Sequence, residues 1–464
     1  MSLESSDSPS PSRPAPGVKG RDATPSPGQR PTRVRWLIFS LACGTSWFLY
    51  LHRYTWNFIR PELEKEFGFN NTQLDGIFAV FSFSYGGGQI PSGILCDFFG
   101  PHVFLALIIL LWSLVLPTVG VARGVYGLGG LRLLFGVTQA GAYPGLSKVT
   151  KNWFPLKSRT IVQGLVASFF GRSGGAMSSI IMGTLLMGLC GLSWRWALVV
   201  MSAAGVLFAG LFLLLGRNRP QDDPRVNRAE RELIREGERE SGGPPVLPLR
   251  RVLRNRSMLV FIVQQFMNAG ADFIYVATMG SYFLSARNID IAAAGLLVSL
   301  PLWGGALGGI VGGLVNDGLI WLTSNRRWSR RIAGFSGKFL ASILMFVAIQ
   351  QTSSVAVAVC LFVVKFFSDW TQPTVWGTCT DMGGKYSATT FSIINTAGNL
   401  GQLTTPLVSG LLLDYFATTQ LVDGVERTLT NYTPMFVLIA AMYLVSACCW
   451  FFIDCTESLD TCEA

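Results

Sequence analysis

Two short stretches of this chain are similar to each other, Gly93-Ile-Leu-Cys-Asp97 and Gly313-Leu-Val-Asn-Asp317, and their similarity is the main clue to the fold. Each has a glycine and an aspartate four residues apart, each follows a long apolar run, and the two lie 220 residues apart. Two further pairs repeat at offsets of 229 and 227 residues: Pro144 with Pro373, and Gly171-Arg-Ser-Gly-Gly175 with Gly398-Asn-Leu-Gly401. Three matches at nearly one offset indicate that the chain is an internal duplication.

Twelve apolar runs surround these motifs, and each is long enough to cross a membrane as a helix of about 20 residues. Six runs precede a polar stretch and six follow it. We predict spans at 36–60, 73–96, 102–122, 125–147, 160–187, 193–216, 258–284, 291–322, 331–351, 354–378, 387–414 and 433–453. The expected fold is an all-α membrane protein with twelve transmembrane helices in two pseudo-symmetric six-helix bundles.

The composition favours a membrane environment and argues against an enzyme. Hydrophobic residues make up 50% of the 464 residues and charged residues only 14%, whereas a soluble domain carries about 25% charged residues. The two histidines and nine cysteines show no metal-ligand spacing. The chain also lacks a nucleotide-binding loop and a nucleophile beside a base. We therefore expect no cofactor, no metal and no enzymatic activity.

The alternation of apolar and polar sequence divides the chain into five regions. They are a disordered cytoplasmic tail over 1–33, a six-helix bundle over 34–216, a cytoplasmic linker over 217–257, a second bundle over 258–453 and a cytoplasmic tail over 454–464. The first tail is rich in Ser, Pro, Gly and Arg, a composition that cannot bury a core. Arg and Glu at helical spacings from Asp222 to Glu240 predict a short surface helix in the linker.

The basic residues predict the orientation in the membrane. They are concentrated before the first span, between the fourth and fifth, in the linker, and between the eighth and ninth, where we place Arg326, Arg327, Arg330 and Arg331. Because Lys and Arg are enriched in cytoplasmic loops, we predict that both termini are cytoplasmic. The net charge of +10 then reflects orientation, not nucleic-acid binding. We expect a multi-pass monomer in the lipid bilayer of the cell inner membrane.

Three arginines lie inside predicted spans: Arg53, Arg132 and Arg172. An arginine at the bilayer centre costs about 2.5–3.5 kcal/mol, so each of these cations needs an anion. That anion is either a protein carboxylate, for which Asp272 and Asp369 are candidates, or a substrate. The residues alone leave both alternatives open.

The two aspartates differ in their local surroundings. Asp369 follows Lys365 by one helical turn, so an ordinary ion pair within one helix can account for it. Asp272 has no basic neighbour within one turn. We expect Asp272 to face the central pathway, with a long-range partner among the arginines. Together with Arg172, both aspartates are candidates for coupling or gating.

The repeated stretches resemble the cytoplasmic loop motif of the major facilitator superfamily. The matching residues are Gly93, Asp97 and Gly100 in the first copy and Gly313 and Asp317 in the second. In that motif glycine lets helices pack closely, and the aspartate can cap the N-terminus of a neighbouring helix. The match is partial, because Phe98 and Pro101-His102 stand where the superfamily usually has basic residues.

Longer stretches resemble the anion:cation symporter family of that superfamily, which includes hexuronate, galactonate, glucarate, sialic acid and vesicular glutamate carriers. They are Tyr50-Leu-His-Arg-Tyr54, Ile59-Arg-Pro-Glu-Leu63, Arg132-Leu-Leu-Phe-Gly136, Arg217-Asn-Arg-Pro-Gln-Asp-Asp-Pro224 and Asn395-Thr-Ala-Gly-Asn399. The resemblance implies that Arg53 and Arg132 hold the substrate carboxylate. A guanidinium fork suits that role because it offers paired charge-assisted hydrogen bonds.

Two departures from that family leave the energy source open. Proton-driven members typically have Asp just before the first arginine and Glu seven residues after the second, whereas this chain has His52 and Gln139. A proton carried by His52, Asp272 or Asp369 is one explanation, and histidine titrates in the right range. Sodium coupling is the second explanation, and facilitated transport or export without coupling is the third.

Several other polar residues within spans either line the pathway or bond neighbouring helices. They are Tyr85, Gln89, Gln163, Asn395 and Asn399. The resulting expectation is secondary active transport of a small organic anion, such as a sugar acid, by alternating access, with H+ or Na+ as a candidate co-substrate. The alternatives are an organophosphate/phosphate antiporter and a transporter-derived membrane receptor.

Overall fold

The computed structural model of the protein describes residues 30–235, 254–384, 387–422, 425–457 and 459. Most of the predicted N-terminal tail, the second half of the predicted linker and the end of the C-terminal tail lie outside the described residues. The division of the chain into five regions therefore stays a prediction.

The described residues form twelve long helical rods. They are α1 Val34–Phe67, α2 Asn71–Phe99, α3 Pro101–Thr118, α4 in two segments (Val125–Ala140 and Ala142–Trp153), α5 over 156–189, α6 Trp194–Leu215, α7 Arg256–Ala286, α8 Ile291–Thr323, α9 Arg326–Ile349, α10 Ser354–Gly383, α11 Ser387–Tyr415 and α12 Thr433–Phe452. Eight of these, all except α2, α4, α5 and α11, are long and apolar enough to cross a membrane. The all-α architecture is confirmed, while twelve membrane crossings remain a prediction.

Two smaller elements accompany the rods. A linker helix, Arg228–Arg235, forms inside the stretch where the sequence predicts one. Its buried Glu230 accepts hydrogen bonds from the backbone N–H groups of Val34 (3.3 Å) and Arg35 (3.1 Å), so it caps the start of α1. A two-stranded antiparallel hairpin, β1 Thr418–Val422 and β2 Val425–Leu429, joins α11 to α12 and was not predicted.

Four helices are interrupted, and they are related in pairs by the duplication. The breaks lie at Tyr54–Thr55 in α1, Gly141 in α4, Asp272–Phe273 in α7 and Thr371 in α10. In α4 and α10 proline explains the break, because its nitrogen cannot donate to the carbonyl four residues earlier. Pro144 therefore leaves the carbonyl of Ala140 without this helical hydrogen bond, and Pro373 leaves the carbonyl of Asp369 without it. The repeated prolines therefore place breaks at equivalent points of the two halves.

The α1–α2 end of the molecule holds the two halves together. Asn57 donates to the Tyr275 carbonyl (2.9 Å), and Arg60 donates to Ser281 Oγ (2.8 Å). Asp414 of α11 accepts from the backbone N–H groups that begin α2, at 3.0 Å and 2.8 Å, where the helix dipole favours an anion. At the opposite, α2–α3 end no ion pair joins the halves within the described residues. These contacts therefore tie the two halves together at the α1–α2 end.

The beginning of α9 corrects one sequence prediction. The four arginines placed in the loop between the eighth and ninth spans belong to the first turns of α9, which begins at Arg326. Asn325 caps this helix by accepting from the Trp328 N–H at 3.2 Å. Arg330 is buried and bonds Asp381 of α10, with Nη2–Oδ2 at 2.7 Å. The helix extends beyond the apolar run because its first turns are amphipathic, and hydropathy alone does not detect them.

Candidate functional site

Arg53 is the last residue before the break in α1. A helix C-terminus carries a partial negative charge, which favours a cation there. The Arg53 guanidinium lies 4.3 Å from the Tyr85 ring centroid and 5.1 Å from that of Phe81. Its Nε donates to Gln139 Oε1 at 3.2 Å, while its buried Nη2 has no hydrogen-bond partner. Arg53 is thus held by rings and a neutral amide, and it retains an unused donor.

Arg132 of α4 is more deeply buried, with 1% of its surface exposed. Its guanidinium stacks on Trp56 at 4.0 Å and lies 5.6 Å from Phe135, which is cation–π geometry. Its Nε and Nη2 have no hydrogen-bond partner. Neither Arg132 nor Arg53 forms an ion pair with any carboxylate that the structure describes. The internal ion-pair alternative therefore does not account for these two arginines.

The surface beside Arg53 continues toward the C-terminal half. Along α2, Gly86 follows Tyr85 and leaves space into which Asn399 of α11 packs. One turn after Tyr85, Gln89 accepts a hydrogen bond from Asn395 Nδ2 at 3.3 Å. The structure thus brings four of the candidate pathway residues together with Arg53 on facing helices of the two halves.

Gln163 and His52 lie elsewhere. Gln163 Nε2 bonds Ser147 Oγ at 3.3 Å, within the N-terminal half. His52 is fully buried, and its Nε2 lies 3.0 Å from the Met201 carbonyl of α6. The His52 ring also packs against Phe48 and Gly205. It faces the interior of the N-terminal bundle, on the side of α1 toward α6, so its geometry gives a proton-carrying role no support.

Arg172 of α5 crosses to the C-terminal half and pairs with both candidate aspartates. Its Nη2 lies 2.8 Å from Asp272 Oδ2, and its Nε lies 2.9 Å from Asp369 Oδ2. Asp272 stands at the break of α7, and Asp369 lies two residues before the break of α10. Asp272 therefore has the long-range arginine partner that its sequence context predicts. Arg172 joins the two halves near the middle of the pathway.

Two lysines of the C-terminal half complete this group. Lys365 Nζ lies 2.6 Å from Asp272 Oδ1 and 2.7 Å from Asp369 Oδ1, so the predicted pair within α10 forms and extends to α7. Lys338 of α9 is also fully buried beside them, and sequence analysis missed it. Its signal was a single lysine inside the predicted ninth span. We call the five residues the charge cluster: Arg172, Asp272, Lys338, Lys365 and Asp369.

The loop motif differs from its expected role. Asp97 Oδ1 lies 2.6 Å from Lys148 Nζ of α4 in an exposed pair, so it does not cap a helix. Asn218, which follows α6, instead accepts from the His102 N–H at the start of α3 (2.9 Å). Gly100 has φ +78° and packs against the same Asn218, so a side chain there would be strained and would clash.

The second copy of the loop motif is simpler. Asp317 is exposed and accepts from Asn316 Nδ2 at 3.2 Å. Gly313 lies against Pro373 of α10, 3.6 Å from where a Cβ would stand. Neither aspartate of the motif bonds the other half among the described residues. The motif therefore shapes the helix ends within each half in this conformation.

Comparison with known proteins identifies the family. The model of the Major Facilitator Superfamily matches residues 42–403 and again 263–459. The chain belongs to the Major Facilitator Superfamily. It is a multi-pass membrane protein of a transporter family and not an enzyme. The second, overlapping match covers the C-terminal half alone, as a duplicated fold predicts.

Relatives and solved structures agree with this membership. The chain is 28% identical to a probable sulfoacetate transporter of Cupriavidus necator, over 92% of this chain and 96% of that protein. It is 28% identical to a probable galactarate/D-glucarate transporter of Bacillus subtilis, over 84% and 88%. Its fold is similar to an inward-facing bacterial homolog of the human lysosomal transporter Spinster, at TM-score 0.66, 15% identity and 91% and 95% coverage.

Proposed function

We propose that this protein is a secondary transporter that moves a small organic anion, of the sugar-acid type, across the membrane by alternating access. The relatives support this class of substrate, because they are named as transporters of sulfoacetate, galactarate/D-glucarate and D-galactonate. All of these are small molecules that carry at least one acidic group. The family membership supports the rocking of two halves around a central site.

The observation that carries the proposal is the state of Arg53. A buried cation without a counter-ion is costly, yet Arg53 has only a neutral amide, aromatic rings and an unused Nη2 donor around it. A substrate carboxylate would supply the missing charge and accept from the free guanidinium nitrogen. Guanidinium–carboxylate pairs of this kind are short and directional. Arg53 is therefore the primary anion contact in our proposal.

Arg132 adds a second positive charge beside this site, and Trp56 covers its guanidinium. Phe81 and Phe135 lie 5.8 Å apart between the two arginines, so the arginines share one aromatic wall. Two unpaired guanidinium groups make this side of the pathway positive, which attracts an anion from the aqueous phase. Direct contact between Arg132 and substrate requires Trp56 to move, because the indole covers the guanidinium.

The other half would complete the site. Asn395 and Asn399 lie on α11 opposite Tyr85 and Gln89, and amide and hydroxyl groups suit the hydroxyls of a sugar acid. A substrate bound to Arg53 and to either asparagine would contact both halves at once. Such a contact is what couples substrate occupancy to rocking of the halves.

We place both termini and the linker helix in the cytoplasm of a cell with the transporter in its inner membrane. The basic loops support this orientation. The α1–α2 end, where polar contacts tie the halves, then faces the outside, so in this structure the pathway is closed toward the outside. Entry of an anion against a negative-inside potential costs about 2.3 kcal/mol per charge per 100 mV. Co-transport of H+ or Na+ would offset this cost. We propose a monomer as the transporting unit.

The test is uptake of labelled sulfoacetate, D-glucarate and D-galactonate into proteoliposomes, with binding measured on the same protein in detergent. Arg53→Gln should weaken binding by about 30-fold or more, since removing one partner of a buried charge pair costs about 2–5 kcal/mol. Arg195→Gln is the matched control, because Arg195 is a half-exposed arginine paired with Glu66 at 2.5 Å. It should leave binding unchanged.

Three outcomes would overturn the proposal. Exchange of sugar phosphates against inorganic phosphate would identify an organophosphate antiporter. Binding without flux would identify a receptor. Full uptake by Arg53→Gln would remove the proposed anion site.

A further inference from the structure

Lys338 of α9 is a buried amine held only by neutral groups. Its Nζ bonds Asn268 Oδ1 closely, the Ser368 carbonyl at 2.8 Å and Ser368 Oγ at 2.8 Å. The Tyr443 ring centroid lies 5.2 Å away. No described carboxylate pairs with it. A fully buried ammonium without a counter-ion is unfavourable, and such groups respond by losing the proton.

The charged and titratable groups around Lys338 come from four helices. Asn268 is one turn before Asp272 on α7, and Ser368 directly precedes Asp369 on α10, so each residue that bonds Lys338 lies within one helical turn of a carboxylate. The groups that act on it are Asp272 from α7, Lys365 and Asp369 from α10, Arg172 from α5 and Tyr443 from α12.

The charges in this cluster do not balance if Lys338 is protonated. Arg172 and Lys365 each contact both carboxylates, so two cations neutralise two anions. A protonated Lys338 would add a third positive charge that no acid offsets. Lys338 is therefore the surplus cation while Arg172 is engaged with the C-terminal half.

The hydrogen bonds of Lys338 fit both protonation states. A neutral amine has two N–H donors and one lone pair, so it can donate to Asn268 Oδ1 and to the Ser368 carbonyl while Ser368 Oγ–H donates to the lone pair. A protonated amine donates to all three oxygens instead. The Ser368 hydroxyl reverses its role by rotation. The site can thus gain or lose a proton without losing a contact.

We propose that Lys338 is a proton-binding site that alternates with Arg172 in neutralising the Asp272–Asp369 pair. When the halves rock and Arg172 withdraws from the C-terminal half, the two carboxylates retain only Lys365. Lys338 then takes a proton from the aqueous phase and becomes the second cation. When Arg172 returns, Lys338 gives up that proton. The cluster is electrically neutral in both states.

This inference rests on the proposed transport function and names its coupling ion. Because Arg172 is engaged in the state that is closed at the α1–α2 end, the proton leaves in that state and binds in the opposite one. With the α1–α2 end facing the outside, one proton enters per cycle together with the anion. For a monoanion the combined movement carries no net charge, which removes the penalty of the membrane potential.

The first test measures conformation without substrate. Spin labels at Phe98→Cys and Trp321→Cys, in a background without the native cysteines, report the separation of the halves at the α2–α3 end, where both side chains are exposed. In the otherwise native protein the labels should approach each other as the pH falls from about 9 to about 5, a range in which buried lysines titrate. Protonated Lys338 disfavours engagement of Arg172, so the α1–α2 end opens and the α2–α3 end closes.

Two substitutions predict opposite states. Lys338→Met removes the surplus charge, so the labels should stay far apart at every pH. Lys338→Arg fixes the charge, so they should stay close together at every pH. An unchanged pH response in Lys338→Met, or no response in the native protein, would overturn the proposal. Lys338→Met alone suffices as the test if Lys338→Arg does not fold.

The second test measures coupling in proteoliposomes with labelled D-galactonate as the probe. A pH difference of one unit can drive about tenfold accumulation when one proton moves with one monoanion. Lys338→Met should lose this accumulation but keep exchange of labelled for unlabelled D-galactonate. Accumulation by Lys338→Met equal to that of the native protein would overturn the proposal. If D-galactonate is not transported at all, the proposed function fails, while the label measurement still decides the role of Lys338.

Discussion

Arg53 and Asp272 occupy equivalent positions in the two halves, 219 residues apart, each at the break of the first helix of its half. Gln139 and Asp369 are equivalent in the same way, each two residues before the break of the fourth helix. The N-terminal pair bonds directly through Arg53 Nε and Gln139 Oε1. The C-terminal pair is bridged by Lys365 and Arg172. One duplicated scaffold therefore presents an unneutralised cation on one side and saturated carboxylates on the other.

The same buried location in the two halves therefore serves two purposes. Removing a partner from a saturated buried pair leaves an uncompensated charge, so the C-terminal group stabilises a particular arrangement of the helices. Arg53 and Arg132 have no carboxylate partner among the described residues, so they are available to an external anion. Substitutions should therefore separate the two regions into one that governs stability and one that governs binding.

Asp369→Asn should have the largest effect. It leaves Arg172 and Lys365 sharing the single carboxylate of Asp272, and breaking a buried pair costs about 3–5 kcal/mol. The measurement is the midpoint of thermal unfolding in detergent, which should fall by several degrees. Arg53→Gln is the contrasting variant and should unfold at nearly the native temperature, because no carboxylate loses a partner. Equal losses in both variants would abolish the distinction between the regions.

A double variant tests whether the ion pair itself contributes to stability. Arg172→Gln combined with Asp369→Asn removes one charge of each sign, so the cluster stays balanced. We expect it to be more stable than Asp369→Asn alone, with a coupling energy in the range of about 0.5–3 kcal/mol. Purely additive losses would show that the ion pair contributes nothing beyond its two side chains.

Gln139→Glu should make the N-terminal region resemble the C-terminal one. A carboxylate placed 3.2 Å from Arg53 Nε would neutralise the arginine and compete with the substrate, which weakens anion binding by about tenfold at neutral pH. Protonation of the new carboxyl at low pH removes the competitor, so affinity should rise as the pH falls. Gln139→Met, which adds no charge, should show no such rise. The measurement is ligand affinity across a pH series.

Lys148→Gln should have the smallest effect. Lys148 pairs with Asp97, whose side chain is 76% exposed, and exposed ion pairs contribute about 0–1 kcal/mol. The unfolding midpoint should therefore barely change, and the small difference from the native protein should shrink as salt is added. A loss as large as that of Asp369→Asn would mean that the loop motif contributes to stability in the way the charge cluster does.

Much of the candidate site could be predicted from the sequence because burial of charge is visible there. Arg53, Arg132, Arg172, Asp272 and Asp369 each stand out as ionisable residues in apolar spans, and the spacing of Lys365 and Asp369 predicts their pair. The sequence left open which arginine pairs with a protein carboxylate. That choice depends on which helices face each other: of the three arginines, Arg172 on α5 is the one that pairs with carboxylates in the described part of the chain.

Other features could not be predicted because they depend on the direction in which a side chain points. His52 and Arg53 are adjacent in sequence, yet His52 turns toward α6 and Arg53 toward α2 and α4. Lys338 could not be predicted as part of the site because a single lysine in a span has no oppositely charged residue near it in the sequence. The residues that bond it, Asn268 and Ser368, come from two other helices. The break that separates Arg53 from Trp56 also has no proline to mark it.

A duplicated helical membrane protein with costly arginines in its first, fourth and fifth spans could be predicted without a structure. Length, hydropathy and repetition are properties of the chain, so they need no knowledge of packing. The packing of the helices was needed to find that Arg53 and Arg132 have no carboxylate partner among the described residues, whereas Arg172 pairs with Asp272 and Asp369. The reason is physical: a charge inside a membrane protein takes its role from the groups within a few ångströms, and those groups come from helices far apart in sequence.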